Sequence, residues 1–446
     1  MTRVAGFIFF LFLLGSAAVA EKQPARARVS AVAANRLTAL KVTGTARYTD
    51  KEILAASGLQ IGQNAADGDF REAAQRLGDS GLFSDVVYSY SSSGAGVRLE
   101  MQLADAEQSK LVPAHFENFV GFTDDELRTA LRSRVPLFKQ LLPIAGSLPD
   151  QISEALQAIL TEKQFPGRVN YLRESQDESG GPLSAIAYRV EEVSIRIRSI
   201  EFPGASTEQT ALLATAARRL TGAEYGRAVL AAAAKFDLLP VYLERGYLKA
   251  AFGPSDARMV PQPSPATDAH GSAELQVDVI LPVQTGKMYS TSSVDWKGNS
   301  AIKIGELAPL LHLSTGQPAD AVRLLRDIET VGKLYRSRGY MTVQIKSDTQ
   351  FDEEKNTVHY DLTIVEGDLY KMGELEILGL DTQATARMRG AWTLREGQPY
   401  NADYPEKFRD DTGQLLPRGV RWVISIHETL EAKDKTVDVE VRFKQQ

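Results

Sequence analysis

The sequence contains no cysteine. This absence excludes disulfide frameworks, cysteine nucleophiles and metal sites that are held by thiolates. An excess of positive charge is also missing, because 51 lysine and arginine residues face 57 aspartate and glutamate residues, giving a formal net charge of −6. Proteins that track phosphate groups carry a basic excess, so we expect no nucleic-acid partner.

Long apolar runs are absent apart from one at the N terminus. Arg3 is the only charged residue before Glu21, an apolar run follows it, and the small residues Ala18-Val19-Ala20 come next. This order is typical of a secretory signal peptide, so we predict removal of residues 1–20 and a linker over residues 21–36. An uncleaved anchor is the alternative, but the run is shorter than the roughly 20 residues of a bilayer span. We expect no transmembrane span in the mature chain.

An internal repeat is visible in the spacing of glycines. Two apolar positions followed by a glycine mark the end of a strand, with four clear copies and a weaker second copy, at Gly44, Gly121, Gly204, Gly298 and Gly379. A second glycine follows 18 residues after each clear copy, at Gly62, Gly222, Gly316 and Gly397. We call this second glycine the marker glycine. Capping boxes such as Thr49 with Glu52 lie between the strand glycine and the marker glycine, so a helix follows each strand.

Each repeat closes with a second helical stretch, a glycine-aromatic break and alternating apolar residues. The sequence therefore predicts an α+β fold of five tandem β-α-α-β-β units, each a three-stranded mixed sheet covered by two helices. We place the units at residues 37–106, 107–193, 194–285, 286–367 and 368–446. The second is divergent, with Lys139 at the marker-glycine position and an apparent insertion over residues 141–149.

These features resemble the polypeptide-transport-associated (POTRA) domains. The resemblance rests on the element order, the strand glycine, the Arg338-Gly339-Tyr340 break and the Val-Glu-Gly-Asp run at residues 365–368. POTRA domains precede the barrel in outer-membrane barrel-assembly and two-partner-secretion proteins, whereas we expect this chain to be an array without the barrel. The resemblance implies a periplasmic location, peripheral to the outer membrane. The implied partners are unfolded or extended outer-membrane polypeptides, or an outer-membrane barrel protein.

A three-stranded sheet leaves two edges, and an exposed edge is a template for an incoming extended chain. The resemblance implies that the second strand of each unit lies at an edge and binds polypeptide by β-augmentation. By position these strands are residues 85–90, 168–172, 248–252, 341–346 and 420–426. The candidate partner-binding residues are Leu248, Ala250, Phe252, Met341, Val343 and Ile345. The alternative is that these side chains only fill the cores.

The sequence contains no recognisable catalytic motif. The five histidines are scattered and never spaced as metal ligands on a helix, and nucleotide-binding glycine motifs are incomplete. We therefore expect no enzyme activity, no catalytic or metal-binding residues and no cofactor. The sequence favours a non-enzymatic periplasmic scaffold in outer-membrane protein assembly or secretion. The alternatives are a structural spacer or adhesive interaction protein of the envelope, or the soluble half of a split barrel-assembly system.

Overall fold

The computed structural model describes residues 35–175, 181–261, 266–267, 273–413, 416 and 421–445. The predicted signal peptide and nearly all of the predicted linker lie outside the described residues. The chain forms two compact units. The N-terminal unit comprises Met1–His115 and Asp124–Tyr188, and the C-terminal unit comprises Phe116–Thr123 and Arg189–Gln446.

The first repeat has the predicted β-α-α-β-β order. Its elements are β1 (Leu37–Thr43), α1 (Asp50–Ser57), α2 (Asp67–Asp79), β2 (Phe83–Ser93) and β3 (Gly96–Asp105). The sheet order is β1-β3-β2, with β1 parallel and β2 antiparallel to the central strand. The predicted capping box is present, because the Thr49 side chain accepts a hydrogen bond from the Glu52 amide and the Glu52 carboxylate accepts one from the Thr49 amide.

The second repeat has an extra strand. Its elements are β4 (Leu111–Phe116), α3 (Asp124–Arg134), β5 (Leu141–Pro143), α4 (Leu148–Glu162), β6 (Arg168–Ser175) and β7 (Leu183–Glu191). The sheet order is β5-β4-β7-β6. The apparent insertion supplies β5, which pairs antiparallel with β4 and places Leu142 opposite Val112. Four strands therefore stand where three were expected.

The third repeat departs most from the expected pattern. Its elements are β8 (Val193–Glu201), α5 (Thr207–Ala216), α6 (Arg227–Ala233), α7 (Leu239–Leu243), β9 (Ala251–Phe252), β10 (Asp256–Met259), β11 (Ala266–Thr267), β12 (Ala273–Ile280) and β13 (Val283–Gln284). The predicted edge strand at residues 248–252 is wrong. The Ala250 amide donates to the Tyr247 carbonyl, which closes a turn, and the short strand β9 that follows pairs with β13. The antiparallel partners of the central strand β12 are instead β10 and β11.

The fourth and fifth repeats are regular. The fourth contains β14 (Ser290–Lys297), α8 (Ile304–Leu307), α9 (Ala321–Ser337), β15 (Gln344–Asp352) and β16 (Thr357–Val365). The fifth contains β17 (Lys371–Leu378), α10 (Thr382–Ala391), α11 (Tyr404–Thr412), β18 (Trp422–Glu431) and β19 (Thr436–Gln445). Their sheet orders, β14-β16-β15 and β17-β19-β18, match that of the first repeat. The predicted fold class is confirmed, with added strands in the second and third repeats.

Each regular repeat encloses its own apolar core. In the fifth repeat, Met372 and Val439 from the sheet pack with Met388 and Phe408 from the helices. In the fourth, Leu362 of the central strand is fully buried. In the described part of the chain, every helix is too short or too polar to cross a membrane.

The strand glycine allows the first and last strands of a repeat to approach closely. Gly298 has φ +83°, and a Cβ there would overlap the carbonyl oxygen of Ile364 at the end of β16. Gly44, Gly204 and Gly379 meet an equivalent carbonyl, whereas Gly121 of the divergent second repeat has open space. The marker glycine Gly316 has φ +80° and also has open space, and its amide donates to the carbonyl of Thr291 in β14 at 2.8 Å.

These two glycines provide a matched test. We expect Gly316→Ala to lower the free energy of unfolding of the fourth repeat by about 1 kcal/mol, the cost of a left-handed backbone with a Cβ. Gly298→Ala should lower it by about 3 kcal/mol or more, because steric overlap adds to the same backbone cost. Urea unfolding followed through the fluorescence of Trp296, with Trp392 and Trp422 replaced by phenylalanine, measures both. Equal losses would show that the contact with Ile364 does not constrain the sheet.

Candidate functional site

The two edges of each regular sheet differ in how much of them is already paired. The first strand is bridged at its start by the segment that precedes the second helix, as in the pairs Arg36 with Asn64, Ser290 with Pro318, and Lys371 with Pro399. The second strand occupies the opposite edge, and within the described residues no other strand pairs with its outer side. The second strands β2, β15 and β18 therefore present unpaired backbone groups.

In the fourth repeat, β15 is an edge strand of nine residues with a regular register. It pairs antiparallel with β16 along its whole length, from Gln344 opposite Val365 to Asp352 opposite Thr357. Ile345 and Ser347 are half-buried on the helix-covered face, while Lys346 is exposed. Alternate residues of an edge strand direct both backbone groups outward, so β15 offers an extended partner a row of donors and acceptors.

The C-terminal end of β15 is covered by the third repeat. The Lys249 ammonium lies 4.5 Å from the ring centroid of Phe351 and forms an ion pair with Glu353. The Tyr289 hydroxyl donates to the other Glu353 oxygen at 2.8 Å. The hydrogen bonds from Lys249 and Tyr289 lower the pKa of Glu353 below its ordinary value, which keeps this cluster charged. The open part of the strand is therefore residues 344–350.

The family model described as "POTRA: Surface antigen variable number repeat" matches residues 289–367. This match spans β14 to β16 and both intervening helices. The fourth repeat is a POTRA domain. The first and fifth repeats share its element order, and the second and third repeats add strands to that order, so the chain is a tandem array of POTRA-like domains.

The chain is similar to parts of several solved structures. The chain is similar to BamA POTRA3-5 of Haemophilus influenzae at 20% identity, covering 56% of this chain and 96% of that one, with a TM-score of 0.42. It is similar to the N-terminal domain of Omp85 from Thermosynechococcus elongatus at 14% identity, covering 56% and 97%, with a TM-score of 0.22. CdiB from Escherichia coli matches at 17% identity over 42% of this chain and 30% of CdiB, with a TM-score of 0.20.

The predicted partner-binding residues of the third POTRA-like domain lie outside its edge strand. Leu248 is half-buried in a turn and packs against the core of the POTRA domain. Ala250 is buried, and Phe252 lies in β9 opposite Val283, with its ring 6.0 Å from that of Tyr242. These side chains therefore face packed regions of the protein.

The predicted residues of the POTRA domain are also directed inward. The strand begins at Gln344, later than the predicted bound of residue 341, because Met341 and Val343 lie in the turn that follows Gly339. Met341 packs against the core of the fifth domain, and Val343 and Ile345 pack against the core of their own. Partner binding by these six side chains stays a prediction, and the outer backbone is the accessible element.

Sequence reasoning missed a different set of apolar residues on the second strands. The large apolar side chains that are exposed on these strands are Val87, Tyr90, Leu172, Met259, Phe351, Val423 and Leu430. Val423 stands between the half-buried Trp422 and Ile424, so the alternation of β18 places it on the solvent face. An apolar residue at a polar position of an alternating pattern was the available signal.

The structure also brings three residues that could ligate a metal together in the POTRA domain. His359 Nε2 lies 3.6 Å from Asp295 Oδ2 and 3.7 Å from Asp361 Oδ1. Asp361 already interacts with Lys297 Nζ at 2.6 Å and accepts a hydrogen bond from Gln350 Nε2 at 2.6 Å. The hydrogen bond and charge of Lys297 lower the pKa of Asp361. Lys297 therefore already compensates the charge of Asp361.

Hydrogen exchange tests the open edge directly. We expect the amides of residues 344–350 to alternate between slow exchange, where they bond to β16, and fast exchange, where they point outward. The central strand β16, which pairs on both sides, should be protected throughout. Amide exchange measured by nuclear magnetic resonance on the intact chain gives both profiles. Uniform protection of β15 would show that its outer edge is occupied.

Proposed function

We propose that the chain is a periplasmic, non-enzymatic scaffold that binds extended polypeptide segments during outer-membrane protein assembly or secretion. The observation that carries the proposal is the unpaired outer side of the second strands, best seen at residues 344–350 of β15. The POTRA match over residues 289–367 supports the process, since POTRA domains precede the barrel in barrel-assembly and two-partner-secretion proteins. Periplasmic location follows from the predicted signal peptide and from the same family.

The energetics of a single edge favour transient binding. Seven open residues present roughly six to eight outward backbone groups, and each net hydrogen bond contributes about 0.5–1.5 kcal/mol. Ordering the peptide offsets much of that gain, so one edge should bind with a dissociation constant of about 1 mM or somewhat below. A client that contacts several edges at once is held more tightly, because the later contacts form within one complex.

Binding through the backbone also explains why the edges share no side-chain motif. Main-chain groups are the same in every client, so affinity does not require a particular sequence. Exposed apolar residues such as Val87, Leu172 and Val423 add contact area beside the edge. The scaffold would therefore accept many extended segments while leaving folded proteins unbound, since these have paired their own strands.

Two adjacent proline variants test the edge in the POTRA domain. Asp348 and Thr349 are both exposed, and because neighbouring residues alternate, only one of their amides points outward. Proline removes the amide hydrogen, so the outward variant should lose client binding while its free energy of unfolding changes little. The inward variant should instead lose about 3 kcal/mol of stability. Chemical-shift titration with an extended barrel-strand peptide measures binding, and urea unfolding measures stability.

The wild-type titration decides between the scaffold and the spacer. Shifts in residues 344–350 at millimolar peptide support the scaffold. If these residues show no shifts, or if the stably folded proline variant binds as tightly as wild type, the edge does not bind clients and the spacer function gains support. Circular dichroism on both variants serves as the folding control.

A further inference from the structure

The N-terminal unit contains a cleft that the proposed edge binding does not use. It lies between the first and second repeats and has a volume of about 890 Å³. Leu82 and Phe138, each 2% exposed, line it together with the partly buried Leu111, Pro136 and Leu141. A cleft of this size is within the range of small-molecule sites, about 300–1,000 Å³.

Basic side chains surround this apolar floor. Arg47, Lys51, Arg132 and Lys139 line the cleft, against Glu52 as its only lining carboxylate. Lys139 Nζ is 3.0 Å from Glu52 Oε1, and Arg47 Nε is 3.7 Å from Asp105 Oδ2, so two of the four cations are compensated. No carboxylate among the described residues lies within ion-pair distance of Lys51 or Arg132. The cleft therefore has an excess of positive charge.

Contacts between the two repeats hold the cleft in place. The buried Tyr48 hydroxyl donates to the carbonyl of Leu137 at 3.1 Å, and the amide of Ser147 donates to the carbonyl of Asp79 at 2.7 Å. Burial raises the pKa of Tyr48 to about 12, so this donor keeps its proton at neutral pH. The Lys139 ammonium lies 4.9 Å from the Tyr48 ring centroid and adds a cation–π contact. The walls are thus positioned before any ligand arrives.

The nature of the walls indicates what fills the cleft. Lys51 and Ala55 come from α1, and Arg132 and Ser133 come from α3, so these walls are helix surfaces that present side chains rather than an open row of strand donors and acceptors. An extended peptide would find few backbone partners here and would leave its own polar groups unsatisfied. A hydrocarbon chain needs no such partners, and it gains free energy from apolar burial.

We propose that this cleft binds a single-chain anionic amphiphile, a long-chain carboxylate of the fatty-acid class. Its carboxylate would contact Lys51 and Arg132, and its chain would cover Leu82 and Phe138. The proposal is independent of the second strands proposed to bind clients, because no residue of β2, β6, β15 or β18 lines the cleft.

Titration of the intact chain with laurate tests the ligand class. We expect saturable binding of one laurate per chain by isothermal calorimetry. Octanoate, which lacks four methylenes, should bind at least about tenfold more weakly because less apolar surface is buried. Dodecyltrimethylammonium has a chain of the same length and the opposite charge, so it should bind at least about tenfold more weakly as well. Each ligand is titrated separately, so the three affinities are compared directly.

Paired variants locate the site. The double variant Lys51→Glu with Arg132→Glu should weaken laurate binding at least about tenfold. Arg98→Glu with Arg168→Glu changes the net charge equally at exposed positions outside the cleft, and it should bind as wild type does. Ala55→Trp fills the cleft from an exposed helix position and should abolish binding, while Gln75→Trp on the exposed surface of α2 should have no effect.

Three outcomes would overturn the proposal. Laurate binding that is absent or does not saturate excludes the ligand class. Binding that is unchanged in both the Lys51/Arg132 double variant and Ala55→Trp places the ligand elsewhere. Saturable binding of an acidic peptide in the cleft, with no binding of laurate, would assign it to a polypeptide. These results do not test the edge-strand proposal, which the proline variants of Asp348 and Thr349 test separately.

Discussion

Each regular repeat depends on the close approach of its first strand to its last strand. The glycine that ends the first strand sits against a carbonyl oxygen of the last, as Gly298 does against Ile364 and Gly379 against Phe443. A side chain at that position would force the two strands apart. Because the last strand is central in the sheet, this contact fixes it there and leaves the second strand at the outside.

The junctions within the C-terminal unit preserve that free edge. The amide of Tyr289 donates to the carbonyl of Gly246 at 2.8 Å, and the amide of Tyr370 donates to the carbonyl of Gly339 at 2.8 Å. Each repeat is thus attached through the turn that follows its second helix, and the next repeat begins at a tyrosine. Since this attachment uses the turn, most of the second strand is left for other partners.

The repeat architecture was predictable from the sequence because glycine spacing and alternating apolar residues are local signals. The bounds of the edge strands were harder to predict, because nothing in the local sequence distinguishes the turn at Met341 from the strand that starts at Gln344. The same holds for Leu248, whose side chain packs against the next repeat. The cleft beside Phe138 and the cluster around His359 depend on residues that are distant in sequence. Such sites arise from tertiary packing, which one sequence does not reveal.

An array with several open edges also has to limit pairing between its own copies. Unprotected edges join one another, and natural sheets oppose this with charged or polar residues on edge strands. In β15, Lys346 and Asp348 are exposed, while the end of β2 carries the serine run from Ser91 to Ser93. Such residues weaken association between folded copies, whose strands are held in one register. An unfolded segment can shift its register until favourable residues face these positions, so the same side chains discriminate an extended client from another copy of the array.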